Sequence, residues 1–274
     1  MIDDAADGIA VNPVRAVADA MPAPQVLSEL LRTVMHPALK AEGLRRSGRT
    51  WREGDADRGW VMIQVQGSKF NTREQVELTI NTCVWPPATW EMRREISGHE
   101  EALPYVAGEA PFFARPDVIA PERPSAGEWW RLDSVTDVDA LATDLVDFVL
   151  NDALPWARRH RDPDQAVEAL HAGGGLSYAI AILRRTAAGS AQLREVVEEF
   201  TSAWISDPRP ITLRPHLIRW RQEAGLPEVP LPEVWSPSMS AHLISQFGSP
   251  EAARAAGHGI HMYSWDGRTW QDRG

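Results

Sequence analysis

The sequence predicts an α+β fold: an antiparallel β-meander packed with helices, followed by an α-helical extension and a small C-terminal β-hairpin. Three observations predict it. Apolar residues first recur at helical spacing after Pro24, then alternate with polar ones over two consecutive segments, and return to helical spacing beyond Asp162. A helix must bury its apolar stripe and a strand its apolar face, so the first helix and the meander are expected to close on one another.

Residues 1–23 carry Asp3, Asp4, Asp7 and Asp19 against Arg15 alone, which predicts a poorly ordered tail. Val26, Leu27, Leu30, Leu31, Val34, Ala38 and Leu39 then form one helical stripe. Pro37 is placed to kink its last turn, and Gly43 to stop it. In residues 60–66 the period becomes two: Val61, Ile63 and Val65 face one side, and Trp60, Met62, Gln64 and Gln66 the other. In residues 76–84, Val76, Leu78, Ile80 and Val84 alternate with Glu77, Thr79, Asn81 and Cys83. The short connection at 67–74 makes these strands antiparallel neighbours, with 50–53 as a preceding strand.

Residues 86–126 contain Pro86, Pro87, Pro104, Pro111, Pro116, Pro121 and Pro124, too many for a long regular element. Such an irregular excursion is a functional lid or an insertion. A strand resumes near 128–132. Thr136-Asp-Val-Asp139 opens a helix with a capping side chain and an acidic first turn, and Val138, Leu141, Leu145, Phe148 and Val149 supply its buried face. Asp162-Pro163 is an N-cap followed by proline at the first helical position. Helical runs follow over 165–170, 177–185, 191–204 and 214–224. The expected organisation is an α+β domain over 24–162, a helical extension over 163–235, and a small helical and hairpin segment over 236–274. In that last segment a two-residue turn at Asp266-Gly267 sets Trp265 opposite Arg268, Ser264 opposite Thr269 and Tyr263 opposite Trp270.

Composition bounds the function. With 43% hydrophobic and 24% charged residues in 274, the chain is an ordinary globular one. The single Cys83 excludes a disulfide framework and thiolate-rich metal sites, and fits a reducing compartment. No stretch approaches the ~20 apolar residues of a membrane span, and the acidic N-terminus is unlike a signal peptide, so a cytoplasmic protein is expected. Twelve tryptophans spread from Trp51 to Trp270 point to core anchors rather than a stacking surface. Lys40 and Lys69 are the only lysines, an arginine bias that reads as a GC-rich bacterial genome.

No G-x-S-x-G elbow, phosphate-binding loop, G-x-G-x-x-G turn or H-E-x-x-H helix occurs. His258 and His261 stand at a spacing a metal uses, but without a thiolate or glutamate beside them they read as loop histidines, and no metal or cofactor is expected. His99-Glu-Glu101 reads as a solvated acidic loop. Gly173-Gly-Gly175 reads as a helix stop and joint rather than a phosphate cradle. The arginines at 45–52, 158–161 and 184–185 read as solvated helix ends.

The remaining constellation is the mixed face of the meander: Trp60, Gln64, Gln66, Asn81 and Trp85, with Glu77 and Cys83 beside them. Amides between aromatics orient a polar ligand by paired hydrogen bonds while the rings exclude water. The structural alternative is that the 86–126 excursion covers this face and its backbone takes up the amides.

Several phrases together resemble a bacterial family known as domain of unknown function 4304. They are Pro37-Ala-Leu-Lys-Ala-Glu-Gly43, the strand Val61-Met-Ile-Gln-Val-Gln66, Leu78-Thr-Ile-Asn81, and Leu154-Pro-Trp156 after an acidic amphipathic helix. The family pattern is a helix ending in P-x-L-K-x-x-G-F, a strand with a Gln, a strand with an Asn and a closing L-P-W. Leu44 departs from it, standing where the family usually has an aromatic. The resemblance covers about residues 25–170, implies an α+β fold and carries no activity.

The expected function is therefore a non-catalytic binding protein that presents a surface to a protein partner. The alternative is a small-molecule enzyme or ligand sensor that uses the Gln64, Gln66 and Asn81 face under the 86–126 segment. The formal charge of −10 excludes bulk nucleic-acid binding, which depends on phosphate neutralisation. Gel shifts at physiological salt are expected to show no competitor-resistant DNA or RNA complex at sub-micromolar protein.

Overall fold

The computed structural model describes residues 21–97, 103–104, 110–123, 129–206, 213–229 and 231, together with the strands 263–265 and 270–272. The described residues fall into two compact units, those within 1–90 and 102–166 and those within 91–101 and 167–274.

The first unit is a two-layer α+β structure. Its opening helix runs as α1 (Ala23–Leu30), a π-helical turn (Leu31–Met35) and α2 (His36–Ala41). The cause of the wide turn is Pro37, which has no N–H to donate and whose ring crowds the carbonyl four residues back. Widening the turn relieves that clash without breaking the helix, so the expected kink is a π-bulge. The helix ends in a Schellman motif: Gly43 has φ +90°, its N–H bonds the Lys40 carbonyl at 3.0 Å, and Leu44 N–H bonds the Leu39 carbonyl at 3.0 Å. Leu44 is buried, so the residue that departs from the family phrase still fills a core position.

Strands β1 (Arg45–Ser47), β2 (Thr50–Asp55), β3 (Gly59–Gly67) and β4 (Val76–Trp85) form the antiparallel meander. Pairing aligns Val61 with Val84, Ile63 with Thr82 and Val65 with Ile80 on the core face, and Gln64 with Asn81 on the other. After β4, Thr89 opens helix α3 (Thr89–Ser97) with its hydroxyl on the Pro86 carbonyl at 2.6 Å. The proline-rich excursion holds a short strand, β5 (Phe112–Ala114), and a single helical turn, α4 (Pro116–Ile119). Strand β6 (Trp130–Leu132) follows. Both β5 and β6 pair with the same edge of β4, β5 with residues 82–84 and β6 with residues 76–78.

Helix α5 (Val138–Phe148) starts as the sequence predicts, with Asp137 accepting from the Asp139 and Ala140 amides, each at 3.1 Å. It passes through a second π turn (Val149–Ala153) into α6 (Leu154–Arg161), again just ahead of a proline, Pro155. Leu27, Leu30, Leu39, Leu145, Phe148 and Leu154 pack with Trp51, Ile63 and Ile80 in one core. The basic run on α6 is not simply solvated. Arg158 reaches Glu53 at 2.8 Å and Glu42 at 2.9 Å, and Arg161 reaches Glu53 at 2.9 Å, which pins α6 to β2 and the end of α2.

The second unit is helical, with α7 (Pro163–Ala172) leading into it, then α8 (Leu176–Thr186), α9 (Ala191–Ser206) and α10 (Arg214–Glu223). The glycines at 173–175 are the expected joint, with Gly174 at φ +76°. Phe200 packs against Trp204 and Trp220 at 6.1 and 5.9 Å, and the buried Arg221 bonds Thr201 at 3.0 Å and the Pro227 carbonyl at 2.6 Å. Of the nine tryptophans whose side chains are described, Trp51, Trp85, Trp90, Trp130, Trp204 and Trp220 are buried, in line with the core expectation.

The terminal strands are β7 (Tyr263–Trp265) and β8 (Trp270–Asp272), and their register corrects the expected one. Trp265 pairs with Trp270 and Tyr263 with Asp272. Four residues therefore connect the strands, not the two of a tight Asp-Gly turn. The dipeptide itself lies outside the described residues, as do residues 1–20, His99-Glu-Glu101, His258 and His261.

One ionic cluster ties the excursion to α5 and the turn after it. Arg123 bonds Asp144 at 2.8 Å, Asp152 at 2.7 Å and Asp147, and lies over the Phe148 ring at 5.8 Å. Trp130 Nε1 donates to the other Asp144 oxygen at 2.7 Å. Arg123, with Asn151, holds the Asp147 carboxyl below its ordinary value of 3.8, so its stabilisation is present above that value and is lost as pH falls through the lowered one. Arg123→Ala leaves three carboxylates facing one another. We expect it to lower the melting temperature by at least about 3 °C at neutral pH. The gap from wild type should narrow as pH falls through the lowered Asp147 value, as read by thermal melts across pH.

Candidate functional site

Because β5 and β6 each cover one end of the same β4 edge, residues 79–81 are left between them. The chain leaving β5 and the chain entering β6 turn side chains into that gap. Pairing of Ala114 with Thr82 sets Arg115 beside Asn81, and pairing of Trp130 with Leu78 sets Trp129 beside Thr79. The face opposite the core is therefore built in cross-strand rows. One row runs Ser47, Thr50, Gln64, Asn81, Arg115. A second runs Arg45, Arg52, Met62, Cys83, Phe113, and a third places Gln66, Thr79 and Trp129 side by side.

Asn81 is the hub. Its Nδ2 donates to Gln64 Oε1 at 3.1 Å and to Gln66 Oε1 at 2.7 Å, and its Oδ1 accepts from Arg115 Nε at 3.2 Å. The three surrounding side chains bury Asn81 and are themselves half-buried. Both glutamine oxygens are used inward, so their NH2 groups, with the outer nitrogens of Arg115, point away from the hub with no partner among the described residues. The Arg115 guanidinium also lies 5.9 Å from the centre of the Trp129 ring. Two buried polar atoms on this face have no hydrogen-bond partner: Thr79 Oγ1, in the row with Gln66 and Trp129, and Arg52 Nε.

Of the five sequence candidates, the structure brings together Gln64, Gln66 and Asn81. Trp60 and Trp85 pair with each other one row beyond Met62 and Cys83, about 13 Å along β4 from Asn81. Trp85 is fully buried and stands edge-on to Trp90 at 5.0 Å, a packing role. Cys83 is buried and forms no disulfide. Glu77 lies outside the three rows, bonded by Gln75 at 3.2 Å and paired in register with Arg131. Among the described residues the excursion reaches the amides through the Arg115 side chain, which bonds Asn81.

Arg115 and Trp129 are the residues sequence reasoning missed. The signal for Arg115 was the run Phe112-Phe113-Ala114 bracketed by Pro111 and Pro116, a strand-sized apolar segment inside a stretch read as irregular. Trp129 follows from alternation, since Trp130 and Leu132 point to the core.

These rows contain hydrogen-bond donors and positive charge, with no carboxylate and no imidazole. Among the described residues no group of three His, Cys, Asp or Glu side chains is placed to hold a metal, and no helix is long and apolar enough to cross a membrane. The comparisons locate one family: residues 35–159 match a domain of unknown function (DUF4304). That span begins at the first π turn and ends within α6, inside the 25–170 suggested by the phrases. No curated protein and no solved structure matches the chain significantly.

Removing the hub tests the geometry. Asn81→Ala leaves the Gln64 and Gln66 oxygens without their shared donor and is expected to cost about 1–3 kcal/mol in chemical denaturation. A cycle with Arg115→Ala should show coupling of about 0.5 kcal/mol or more.

Proposed function

Taking residues 35–159 as a domain of the DUF4304 family, we propose that the chain is a non-catalytic binding protein of the bacterial cytoplasm. It engages a protein partner through the polar face of its sheet. The observation that carries this reading is the Asn81 hub. It spends the acceptor oxygens of Gln64 and Gln66 internally and leaves two amide groups and a guanidinium directed outward in fixed positions. Preorganised donors on a rigid sheet reduce the ordering cost of association, which is what a recognition surface needs. The cytoplasmic and bacterial parts of the reading rest on the lone buried cysteine and the arginine bias. A small-molecule sensor on the same face is the second reading, favoured by Arg115 reaching the hub from the 86–126 segment.

The test compares wild-type protein with the Gln64→Ala/Gln66→Ala double variant. The variant strips the buried Asn81 Nδ2 of both acceptors and is expected to melt lower, so the two are compared well below the variant's melting temperature, where both are folded. A partner retained by wild type from the native cell extract is expected to be lost by the variant, with affinity down about tenfold or more, equivalent to 1.4 kcal/mol. Equal retention overturns the reading. A metabolite that raises the melting temperature of wild type and not of the variant establishes the sensor instead.

A further inference from the structure

The charge of the polar face runs against that of the chain. The chain carries −10 in total. Yet the three rows hold Arg45, Arg52 and Arg115 and no acidic residue, and Glu77, in the next row of the same face, stands opposite Arg131. Several arginines of the same unit are matched: Arg123 by three aspartates, Arg158 by Glu42 and Glu53, Arg131 by Asp133 at 2.8 Å. Among the described residues, no carboxylate pairs with Arg52 or Arg115. A guanidinium is a planar fork of donors that fits a carboxylate in bidentate fashion, and the Gln64 and Gln66 amides add neutral donors between the charges.

Two further observations point to a ligand on this face. Thr79, in the row with Gln66 and Trp129, is fully buried, and its hydroxyl has no hydrogen-bond partner. Arg52 Nε is buried and likewise unbonded. Span then selects the kind of anion. Arg52 on β2 and Arg115 beyond β5 are separated by three interstrand spacings, about 14 Å, and by one row along the strands. A small monocarboxylate that pairs with one guanidinium in bidentate fashion leaves the other unpaired. In an extended peptide, side chains four residues apart lie on one side about 13 Å apart, within reach of both arginines. A nucleic acid, with a phosphate charge every ~1.7 Å of duplex, has far denser charge than these isolated arginines can match.

We propose that the polar face binds an extended acidic peptide segment of a partner protein. Two carboxylates four residues apart pair with Arg52 and Arg115, while the Gln64 and Gln66 amides donate to the chain between them. This rests on the reading of that face as the binding surface, and it adds the chemistry of the partner.

The experiment uses full-length protein and fluorescence anisotropy with a labelled Gly-Ser peptide carrying two glutamates four residues apart, alongside its glutamine counterpart. The glutamate peptide is expected to bind at least tenfold more tightly than the glutamine one, with affinity falling as salt rises. Arg115→Gln and Arg52→Gln should each weaken binding about tenfold, and Arg115→Lys less. Arg32→Gln, on the helical layer at the other side of the sheet, should leave it unchanged. Arg52 takes no part in the Asn81 hub, so Arg52→Gln still decides the matter if Arg115→Gln fails to fold. Equal binding of the two peptides, indifference to Arg52, or displacement by an oligothymidine at equal charge overturns the proposal. If neither peptide binds while Gln64→Ala/Gln66→Ala still loses its native partner, the acidic chemistry is wrong and the binding face stands. If the glutamate peptide binds while the double variant keeps that partner, the native interface lies elsewhere.

Discussion

Strand β4 has to satisfy more than any other element. Most of its ten residues are buried, those on both faces among them, and its two edges are paired to β3 on one side and to two separate short strands on the other. A buried strand edge must have its amides and carbonyls paired. Covering that edge with β5 and β6, three residues each, does most of this and leaves a short interval at residues 79–81. The site follows from that interval. Arg115 directly follows β5 and Trp129 directly precedes β6, and the register fixes both beside the Gln64–Asn81–Gln66 cluster.

The helices opposite are shaped by a constraint used twice. In each, a π turn of five residues is followed by one residue and then a proline: Leu31–Met35 before Pro37, and Val149–Ala153 before Pro155. A proline in mid-helix removes one hydrogen bond and pushes against the carbonyl one turn back. The wide turn absorbs both effects, so each helix continues across the sheet with its apolar stripe still facing the core. Two of the family phrases mark these places. Pro37 to Gly43 encodes the resumed helix and its Schellman stop, and Leu154-Pro-Trp156 encodes the second resumption, where Trp156 stacks on His160 at 4.2 Å.

The fold was legible wherever periodicity was long. The meander, the capped start at Asp137 and the helices of the second unit needed only alternation, a cap or a 3.6-residue stripe. The π turns were not legible, because proline announces a disturbance without specifying how the helix absorbs it. Half of the site was legible for the same reason: Gln64, Gln66 and Asn81 share a face by alternation alone. Trp60 and Trp85 share that face too. Alternation gives the face and not the distance along it, so they were grouped with amides that lie about 13 Å away. Arg115 depended on a three-residue strand whose pairing partner is thirty residues distant, and no local pattern encodes such a pairing.

The excursion that hid Arg115 is anchored at both ends of a short span. Arg115 bonds Asn81 on the sheet, and Arg123 bonds three aspartates on α5 and the turn that follows. These two anchors differ in what they leave behind. Arg123 is surrounded by more negative charge than it carries, so that corner remains acidic after pairing. Arg115 is held by a neutral amide, which fixes its position without cancelling its charge. An aspartate at position 81 would have held the guanidinium more strongly and neutralised it. Asparagine there gives a weaker neutral bond but keeps the positive charge of the face available, and so keeps the arginine fixed and chemically unspent.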